Sequence, residues 1–272
     1  MDVDIVDTTL RDGEQKAGIA LGVRDKVRIA QILDSLGVFQ IEAGIPAMGG
    51  DEKESITRMA ALDLNSKISA WNRMHVDDIR KSMECGADMI HISVPSSDIQ
   101  IKDKLGKDRE WVVDRMKRCI AFTKDRDYEV TIGFEDASRS DFDFLLHLCS
   151  IAFAAGVRRI RYADTVGILY PGRILKEVRS IRSQTKIEIE MHAHNDFGMA
   201  VANSVAAVKG GAKYVDCTFG GIGERAGNCN YIQFIRAWSG VSDKCYDVDI
   251  KALEDAEKEI MGIIWDPKDR LT

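Results

Sequence analysis

Short runs rich in β-branched residues alternate with longer segments of helical periodicity from one end of the chain to the other. The short runs predict eight strands, at residues 3–7, 38–43, 68–71, 89–94, 129–134, 159–163, 187–192 and 214–217. Between them, apolar residues recur three and four positions apart, as they do in amphipathic helices. One such stripe consists of Val27, Ala30, Ile32, Leu33 and Leu36.

Glycine marks four of the predicted boundaries between a helix and the next strand. Glycine is favoured just past a helix end because it adopts a left-handed backbone at little cost. The four boundaries read Leu36-Gly37-Val38, Cys85-Gly86-Ala87, Ala155-Gly156-Val157 and Gly210-Gly211-Ala212. This punctuation recurs at about the spacing of one β/α unit, which indicates a chain of repeated strand–helix units.

Eight such units within residues 1–240 predict an α/β fold of the (β/α)8 TIM-barrel type. The alternative is a doubly wound parallel sheet, which usually has a glycine-rich phosphate loop after its first strand. Residues 8–14, which follow the first predicted strand, lack that pattern. The barrel is therefore the favoured fold.

Residues 241–272 form a short C-terminal tail in this interpretation. A charged amphipathic helix is predicted over residues 249–264, with one apolar side made of Ile250, Leu253, Ala256, Ile260 and Ile263. Asp266-Pro267 is expected to end that helix. Because the tail is too short for a second domain, we expect it to pack on the barrel or to contact a partner.

Composition excludes several classes of protein. The 272 residues include 38 basic and 44 acidic side chains, and the resulting charge of −6 disfavours a nucleic-acid partner. A hydrophobic content of 45% is not that of a disordered chain. The N-terminus lacks a secretory pattern, and no segment reaches the roughly 20 apolar residues of a membrane span. We therefore expect a cytoplasmic protein that does not associate with membranes.

The six cysteines are widely spread and none forms a C-x-x-C pair. This spacing predicts reduced thiols, not a disulfide framework or a zinc knuckle. The positions are Cys85, Cys119, Cys149, Cys217, Cys229 and Cys245.

In a barrel, the residues with chemical roles lie at the carboxyl ends of the strands and in the loops that follow. Those positions select Arg11, Asp12, Glu42, His91, Ser93, Glu135, Asp136, Thr165, His192, His194, Glu224 and Asn228.

His192 and His194 are the strongest pair in this set. Side chains two apart on a strand point to the same side, so both imidazoles are presented together. Asp12, at the end of the first predicted strand, supplies an anionic third ligand, and two histidines with one carboxylate suit a divalent cation. The alternative for this pair is a solvent-exposed polar pattern without a ligand.

Other strand-end residues suit chemistry beside a metal ion. The Arg11 guanidinium can stabilise negative charge that develops on a keto oxygen, although a simple salt bridge is the alternative. Thr165 can hold a carboxylate or serve structure alone. Glu135 and Asp136 are adjacent and cannot both face the interior, so one can serve chemistry while the other orders the loop.

Residues 220–228 form a glycine-rich loop after the last predicted strand. Such loops in barrels often bind a phosphate through backbone N–H groups, although tight turns need glycine in any case. A nucleotide-like cofactor tail would suit it.

Three motifs together resemble the DRE-TIM metallolyases, and within them the homocitrate synthase and 2-isopropylmalate synthase branch. They span residues 7–15, 192–196 and 221–228, and the resemblance runs from about residue 3 to residue 238. It implies a metal-dependent Claisen condensation of acetyl-CoA with a 2-oxo acid, followed by thioester hydrolysis.

The resemblance also implies a role for each matching residue. Asp12, His192 and His194 would bind the metal ion, with Asn228 as a more distant fourth ligand. Arg11 would polarise the keto group, Thr165 would bind the 2-oxo acid carboxylate, and Gln15 would contact substrate. Glu135 would lie in the substrate pocket as a catalytic residue, and Glu224 would assist the base that deprotonates the acetyl methyl. The ligand set admits Mg²⁺, Mn²⁺ or Zn²⁺.

Residues 42–47 and 91–99 resemble homocitrate synthases associated with nitrogen fixation, whose substrate is 2-oxoglutarate. Its second carboxylate needs a cationic or hydroxyl-rich pocket, for which Arg73, His91 and Ser93 are candidates. Formation of 2-isopropylmalate, citramalate or citrate by the same chemistry is the alternative.

Synthases of this branch continue into a C-terminal subdomain that contributes to the active site, often that of a neighbouring subunit. No such sequence follows here, so the chain is one subunit of a split enzyme, an excised catalytic domain, or an enzyme that works differently. We expect a homo-oligomer, with a second subunit supplying this part. The alternative from another class is a non-catalytic subunit that only binds a 2-oxo acid.

Overall fold

The computed structural model describes residues 3–242 and 248–265. Eight parallel strands form one closed barrel in chain order, and β8 pairs with β1 from Asp4–Tyr214 to Asp7–Cys217. The strands are β1 Asp4–Asp7, β2 Gln40–Gly44, β3 Lys67–Arg73, β4 Met89–Pro95, β5 Glu129–Glu135, β6 Arg159–Asp164, β7 Glu188–Ala193 and β8 Tyr214–Cys217.

Helices connect the strands on the outside of the barrel. They are α1 Val23–Ser35, α2 Gly50–Ala60, α3 Val76–Glu84, α4 Arg109–Lys124, α5 Phe142–Ala154, α6 Pro171–Gln184, α7 Ala200–Gly210, α8 Tyr231–Val241 and α9 Ile250–Trp265. Short 3-10 turns at Gly13–Gln15, Pro46–Met48, Ala137–Arg139 and Phe219–Gly221, and a π-helical turn at Ile99–Lys104, lie in the loops that follow strands.

The structure confirms the predicted barrel and all eight strands, with ends shifted by one or two residues. The largest shifts are of two residues. β2 begins at Gln40 instead of Val38, because pairing with β1 and β3 begins only at Gln40, and β3 ends at Arg73 instead of Trp71. The four boundary glycines, Gly37, Gly86, Gly156 and Gly211, all have positive φ, as helix-end glycines do.

The predicted C-terminal helix is also present, as α9. Its fully buried residues are Leu253, Ala256, Ile260 and Ile264, and the predicted Ile250 and Ile263 are partly buried against the same core. It packs against the barrel, where Glu259 pairs with Arg28 of α1 and Glu257 accepts a hydrogen bond from the Gly220 amide. Asp266-Pro267 lies outside the described residues, and the division at residue 240 stays a prediction.

Apolar and charged side chains separate onto the two faces of the strands. On β6, Ile160 and Tyr162 are buried in the apolar layer beneath the helices. Arg161, between them in sequence, contacts Glu42, Glu190 and Asp216 on three other strands, which is possible only inside the barrel. The interior of this barrel is therefore charged, while the apolar core lies between the strands and the helices.

Two further expectations concern the described part of the chain. The cysteines at 85, 119, 149, 217 and 229 are buried free thiols, and Cys245 lies outside that part. None of the helices in residues 3–242 and 248–265 combines the length and apolar character needed to cross a bilayer.

Candidate active site

A cavity of about 680 Å³ lies at the carboxyl ends of the barrel strands. All eight strands of a parallel barrel end at one face, so loops that are distant in sequence meet there. Eleven of the residues selected from the sequence line it: Arg11, Asp12, Gln15, Arg73, His91, Ser93, Glu135, Thr165, His192, His194 and Glu224. Asn228 is buried directly behind Asp12.

Asp12, His192 and His194 form a compact group of potential metal ligands. Nε2 of His192 lies 3.3 Å from Nε2 of His194 and 3.4 Å from Oδ2 of Asp12. One ligand atom from each side chain lies within 4.8 Å of the others, and all three residues are buried. Two imidazoles and a carboxylate that converge in this way suit a divalent metal ion.

Asn228 orients the carboxylate of this group. Its Nδ2 donates hydrogen bonds to Asp12 Oδ1 at 2.8 Å and to the Ile222 carbonyl at 3.0 Å. Its own Oδ1 is buried without a hydrogen-bond partner. Gly223 permits this close approach, because a Cβ there would overlap the Asn228 amide. The role of Asn228 as a fourth ligand stays a prediction.

The charges in this group depend on one another. Burial opposes ionisation of Asp12, but Arg11 and the two imidazoles outweigh it and hold the pKa of Asp12 well below its usual value. Burial disfavours charged His192 as well, yet hydrogen bonds to Asp12 and Asp216 raise its pKa to about 9. Burial and the His192 cation lower the pKa of His194 to about 3. At neutral pH the two rings therefore carry one positive charge, on His192, and a bound metal ion would replace the Nε2 proton of that ring.

Asp216 fixes the ring of His192 from inside the barrel. Its Oδ2 accepts the hydrogen bond of Nδ1 at 2.8 Å, so Nε2 is turned toward Asp12 and His194. A carboxylate on the second nitrogen of a histidine typically fixes the tautomer in which the first nitrogen can bind metal.

Arg11 is held between two carboxylates at the edge of the ligand group. Its Nε lies 2.5 Å from Glu42 Oε2, and its Nη1 lies 2.6 Å from Asp12 Oδ2. Glu42 is fully buried, which opposes its ionisation, but Arg11 and Arg161 hold the pKa of its carboxyl well below the usual value. The guanidinium is thus fixed where it can stabilise negative charge on an oxygen beside Asp12.

Glu135 and Asp136 divide their tasks as expected of adjacent side chains. Glu135 faces the cavity and accepts hydrogen bonds from Gln100 Nε2 at 2.6 Å and from Ser93 Oγ at 3.3 Å. Asp136 is buried with a φ of 61° and pairs with the Arg139 guanidinium at 2.8 Å, so it orders the loop.

Thr165 presents its hydroxyl to the cavity and to the neighbouring loop. Its Oγ1 accepts a hydrogen bond from the Asp136 amide at 2.8 Å, which leaves the hydroxyl proton available as a donor. Its carbonyl accepts a hydrogen bond from Arg225 Nη2 at 2.6 Å. The first bond therefore orients the Thr165 hydroxyl, and the second fixes the backbone of the same residue.

His91 lies deep in the cavity, and the structure explains how it fits there. Its Nε2 is directed at Gly133 on the adjacent strand, where any Cβ would overlap the ring. Its Nδ1 lies 3.6 Å from Glu42 Oε1. Burial and the nearby Arg161 cation hold the pKa of His91 well below its usual value, so the ring is neutral.

Two of the selected residues lie toward the outside. Arg73 has a side chain that is 70% exposed, and its guanidinium pairs with both carboxylate oxygens of Asp78 at 2.7 and 3.1 Å. Gln15 is exposed on the cavity wall. Arg73 still lines the same cavity as His91 and Ser93 and lies opposite Ser93 in the pairing of β3 with β4, so its role toward substrate stays a prediction.

The glycine-rich loop, residues 220–228, uses several of its backbone amides for hydrogen bonds within the protein, and a phosphate site there stays a prediction. The amide of Gly220 donates to Glu257, and those of residues 221, 222, 227 and 228 donate to backbone carbonyls of the loop and its first turn. These donors are therefore occupied within the protein. The loop places Asn228 against Asp12 and carries Glu224, which pairs with Arg225 at 3.3 Å on the cavity wall.

A family model described as HMGL-like matches residues 2–260 of the chain. The chain belongs to the HMGL-like family. Among curated relatives, homocitrate synthase subunit alpha of Clostridium pasteurianum is 56% identical over 265 residues, which cover 97% of this chain and 98% of that protein.

Two longer relatives match over the same barrel. 2-isopropylmalate synthase 2 of Caldanaerobacter subterraneus is 50% identical, and homocitrate synthase 1 of a Nostoc species is 44% identical. Each alignment covers 86% of this chain, but only 61% and 62% of the respective relative. The chain thus spans about three fifths of these two proteins.

Solved structures support the fold of this HMGL-like chain. HMG-CoA lyase of Bacillus subtilis superimposes with a TM-score of 0.84 at 17% identity, over 96% of this chain and 93% of the lyase. At that identity the similarity shows the barrel alone.

Sequence reasoning missed the charged layer on which the HMGL-like site rests. Glu42 was selected without a role, while Arg161, Glu190 and Asp216 were not selected. The signal was present: Arg159-Ile160-Arg161 and Glu188-Ile189-Glu190 repeat charged residues with a period of two, as the histidine pair does. Applied to every strand, that period would have predicted charged side chains inside the barrel.

Proposed function

We propose that the chain is the catalytic barrel of an acyltransferase that condenses acetyl-CoA with a 2-oxo acid, with 2-oxoglutarate as the preferred acid and homocitrate as the product. One observation carries this proposal: Arg11 lies beside the convergent group Asp12, His192 and His194 in a cavity that also holds Thr165 and Glu135. The relatives named homocitrate synthase support the choice of reaction.

The ligand group fits a divalent cation of the Mg²⁺, Mn²⁺ or Zn²⁺ type. Its three side chains are buried, and two imidazole nitrogens face each other with a carboxylate oxygen beside them. A divalent cation bound by Asp12, His192 and His194 would supply a Lewis acid for the keto group of the 2-oxo acid. The Asn228 Oδ1 atom, which lacks a partner, is the candidate for a further ligand.

Arg11 and Thr165 have complementary tasks toward the 2-oxo acid. Arg11 stabilises the negative charge that develops on the keto oxygen as the new carbon–carbon bond forms. Thr165 donates its hydroxyl proton to the substrate carboxylate, since its oxygen already accepts the Asp136 amide hydrogen bond. Both side chains are fixed before substrate arrives, which lowers the cost of ordering them.

The acetyl group must lose a proton from its methyl carbon before it attacks the keto carbon. Glu135 lies in the wall with both carboxylate oxygens in hydrogen bonds, and Glu224 lies near the mouth, half exposed. In the proposed mechanism these carboxylates contact the substrates and assist transfer of that proton. Hydrolysis of the thioester then releases coenzyme A and the tricarboxylate.

The second carboxylate of 2-oxoglutarate would be received by His91 and Ser93. His91 occupies the space above Gly133, and Ser93 Oγ lies 3.3 Å from Glu135. A neutral imidazole can donate to a carboxylate, and so can the Ser93 hydroxyl once its proton turns from Glu135 to the substrate, whereas a pocket for a branched apolar acid has no need of these donors. This polar lining favours 2-oxoglutarate over the acids that lead to 2-isopropylmalate or citramalate.

A second polypeptide completes the active enzyme in this proposal. The relative of matching length carries the name subunit alpha, and two other relatives have substantial sequence outside the match. We infer that the chain assembles as an oligomer and that a partner subunit supplies the missing groups at the cavity. The chain alone is then expected to bind metal and 2-oxo acid but to turn over poorly.

The decisive test is thiol release from acetyl-CoA with Mn²⁺ and a panel of 2-oxo acids, with and without a co-expressed partner. Release that is selective for 2-oxoglutarate and abolished by Asp12→Asn would support the proposal. Selectivity for 2-oxoisovalerate or pyruvate would replace homocitrate by 2-isopropylmalate or citramalate. Metal-dependent binding of the acid without thiol release, even with the partner, would indicate a non-catalytic binding subunit.

A further inference from the structure

One buried guanidinium, that of Arg161, contacts carboxylates from three other strands. Its Nη2 lies 2.8 Å from Glu42 Oε1 on β2, and its Nε lies 2.9 Å from Asp216 Oδ2 on β8. The same Nε contacts Glu190 on β7. All four side chains are at most 2% exposed, so bulk solvent screens these contacts little.

Two of those carboxylates lead to the reacting end of the cavity. Glu42 Oε2 accepts from Arg11 Nε at 2.5 Å and also lies 3.2 Å from Arg161 Nη1. Asp216 uses one oxygen, Oδ2, for both Arg161 and His192 Nδ1. Arg161 thus contacts Arg11 through one intervening residue, Glu42, and His192 through another, Asp216.

We propose that Arg161 is a positioning residue that holds Arg11 and His192 in their mutual arrangement through Glu42 and Asp216. Arg11 follows β1 and His192 lies on β7, and no backbone pairing connects these two strands. Both side chains contact Oδ2 of Asp12. A rigid, planar guanidinium with donors in several directions suits this connecting task, which a lysine ammonium cannot perform equally well.

Loss of Arg161 would have a specific physical consequence. Glu42 would keep Arg11 and Glu190 would keep Arg159, but Asp216 would keep only His192 as a cationic partner, so the three buried carboxylates would be compensated by one cation fewer. Asp216 would then rotate away or bind a proton, and His192 would lose the acceptor that fixes its tautomer. Metal affinity should therefore fall even though Arg161 is not a ligand.

Arg159 provides a matched control in the same layer. It is also buried and also contacts Glu190, with Nη1 3.2 Å from Oε2. Its other hydrogen bonds go to Gln40 at 2.5 Å, Thr131 at 3.0 Å and the Met89 sulfur at 3.4 Å, none of which belongs to the ligand group. Removing it takes away a buried cation and its contacts, but not the connection to Asp216.

The test is the affinity of the metal-stripped full chain for Mn²⁺, measured by electron paramagnetic resonance of the free ion. We expect Arg161→Met and Asp216→Asn each to weaken Mn²⁺ binding by about 10- to 100-fold, the usual effect of removing an outer-shell partner. The loss of Mn²⁺ affinity in the double variant should be smaller than the product of the two single losses, because both changes break the same connection. Arg159→Met should bind within about threefold of the unchanged chain, while it loses a similar amount of thermal stability.

Arg161→Lys keeps the charge and provides the second variant if Arg161→Met fails to fold. It should also bind Mn²⁺ more weakly than the Arg159→Met control, since one ammonium cannot serve both carboxylates. Unchanged affinity in either Arg161 variant, or equal losses in Arg161 and Arg159 variants, would overturn the inference.

The roles given to Arg11 and His192 in this inference rest on the proposed function. The proposed metal site and the positioning role of Arg161 can nevertheless fail separately. If the unchanged chain binds Mn²⁺ and Asp12→Asn does not, the metal site is supported whatever Arg161 does. If the unchanged chain binds no Mn²⁺, both the metal site and the role given to Arg161 are overturned.

Discussion

The ring nitrogens Nε2 of His192 and Nε2 of His194 face each other at 3.3 Å at the carboxyl end of β7. Two imidazole nitrogens this close cannot both be protonated without repulsion, and both unprotonated leaves two lone pairs opposed. Asp12 Oδ2 lies beside them at 3.4 Å from His192. A proton shared between the rings or a cation between all three groups resolves this arrangement.

Addition of Mn²⁺ should stabilise the chain, since only the folded state assembles the three ligands. At about 100 times the dissociation constant the gain is about 2.7 kcal/mol in the free energy of unfolding. For a domain of this size the melting temperature should rise by roughly 5–10 °C. Scanning calorimetry with Mn²⁺ and with EDTA measures the difference. An equal rise in Asp12→Asn would show that the ion binds elsewhere.

Metal binding should release protons and strengthen as the pH rises. The pKa of His192 is raised to about 9 in the metal-free chain, so below that pH a proton must leave before Nε2 can bind metal. For one proton the affinity should increase about tenfold per pH unit between pH 7 and pH 9. Titration calorimetry in buffers of different ionisation enthalpy counts the protons, and a pH-independent affinity would contradict this assignment.

The same pKa predicts the opposite trend for stability without metal. Because His192 is more basic when folded, its contribution is complete below the unfolded pKa of about 6.5 and is lost as the pH rises through 9. Denaturant melts with EDTA between pH 6 and pH 10 should show this decline. The decline should shrink in His192→Gln.

Replacement of Thr165 should affect the 2-oxo acid more than acetyl-CoA. Thr165→Val removes the hydroxyl that accepts the Asp136 amide and is proposed to donate to the substrate carboxylate. A hydrogen bond to a charged group contributes about 1.5–3 kcal/mol, so the KM for the 2-oxo acid should rise by about 10- to 100-fold. Thr165→Ser keeps the hydroxyl and should restore most of the activity. Equal changes in both KM values would indicate general disruption of the site.

Substitution of Gly223 should weaken metal binding, because a methyl group there overlaps the Asn228 amide that holds Asp12. We expect Gly223→Ala to bind Mn²⁺ at least about tenfold more weakly, as loss of an outer-shell contact does. Gly240→Ala is the control, since a Cβ at Gly240 in α8 meets nothing within 4 Å. Unchanged Mn²⁺ binding in Gly223→Ala would mean that Asn228 does not position the carboxylate.

Discrimination among 2-oxo acids should depend on His91 and not on Arg73. His91→Leu should lower kcat/KM for 2-oxoglutarate by about 10- to 100-fold, the range for a lost hydrogen bond to a charge, with a smaller effect on 2-oxobutyrate. Arg73→Leu should change either value by less than about threefold, because this exposed guanidinium is paired with Asp78. The reverse result would assign the distal carboxylate to Arg73.

The sequence by itself determined the barrel and the grouping of Asp12, His192 and His194, because both depend on local periodicity and on a simple topological rule. Strand and helix periods predict the alternation of elements, and a parallel barrel brings all strand ends to one face. His192 and His194 lie together because they are two apart on one strand. Asp12 could be assigned to the same site without any known distance, because it follows β1 at the face where all strands end.

The contacts beneath the site were decided only by the tertiary structure. Whether Arg161 meets Glu42, 119 positions away in sequence, depends on the closure and stagger of the barrel, which no local pattern encodes. The same holds for Arg73, which its positive charge made a substrate candidate and which pairs with Asp78 at the rim of the cavity. A buried charge takes whichever opposite charges the fold places within reach, so its partners follow from three-dimensional packing.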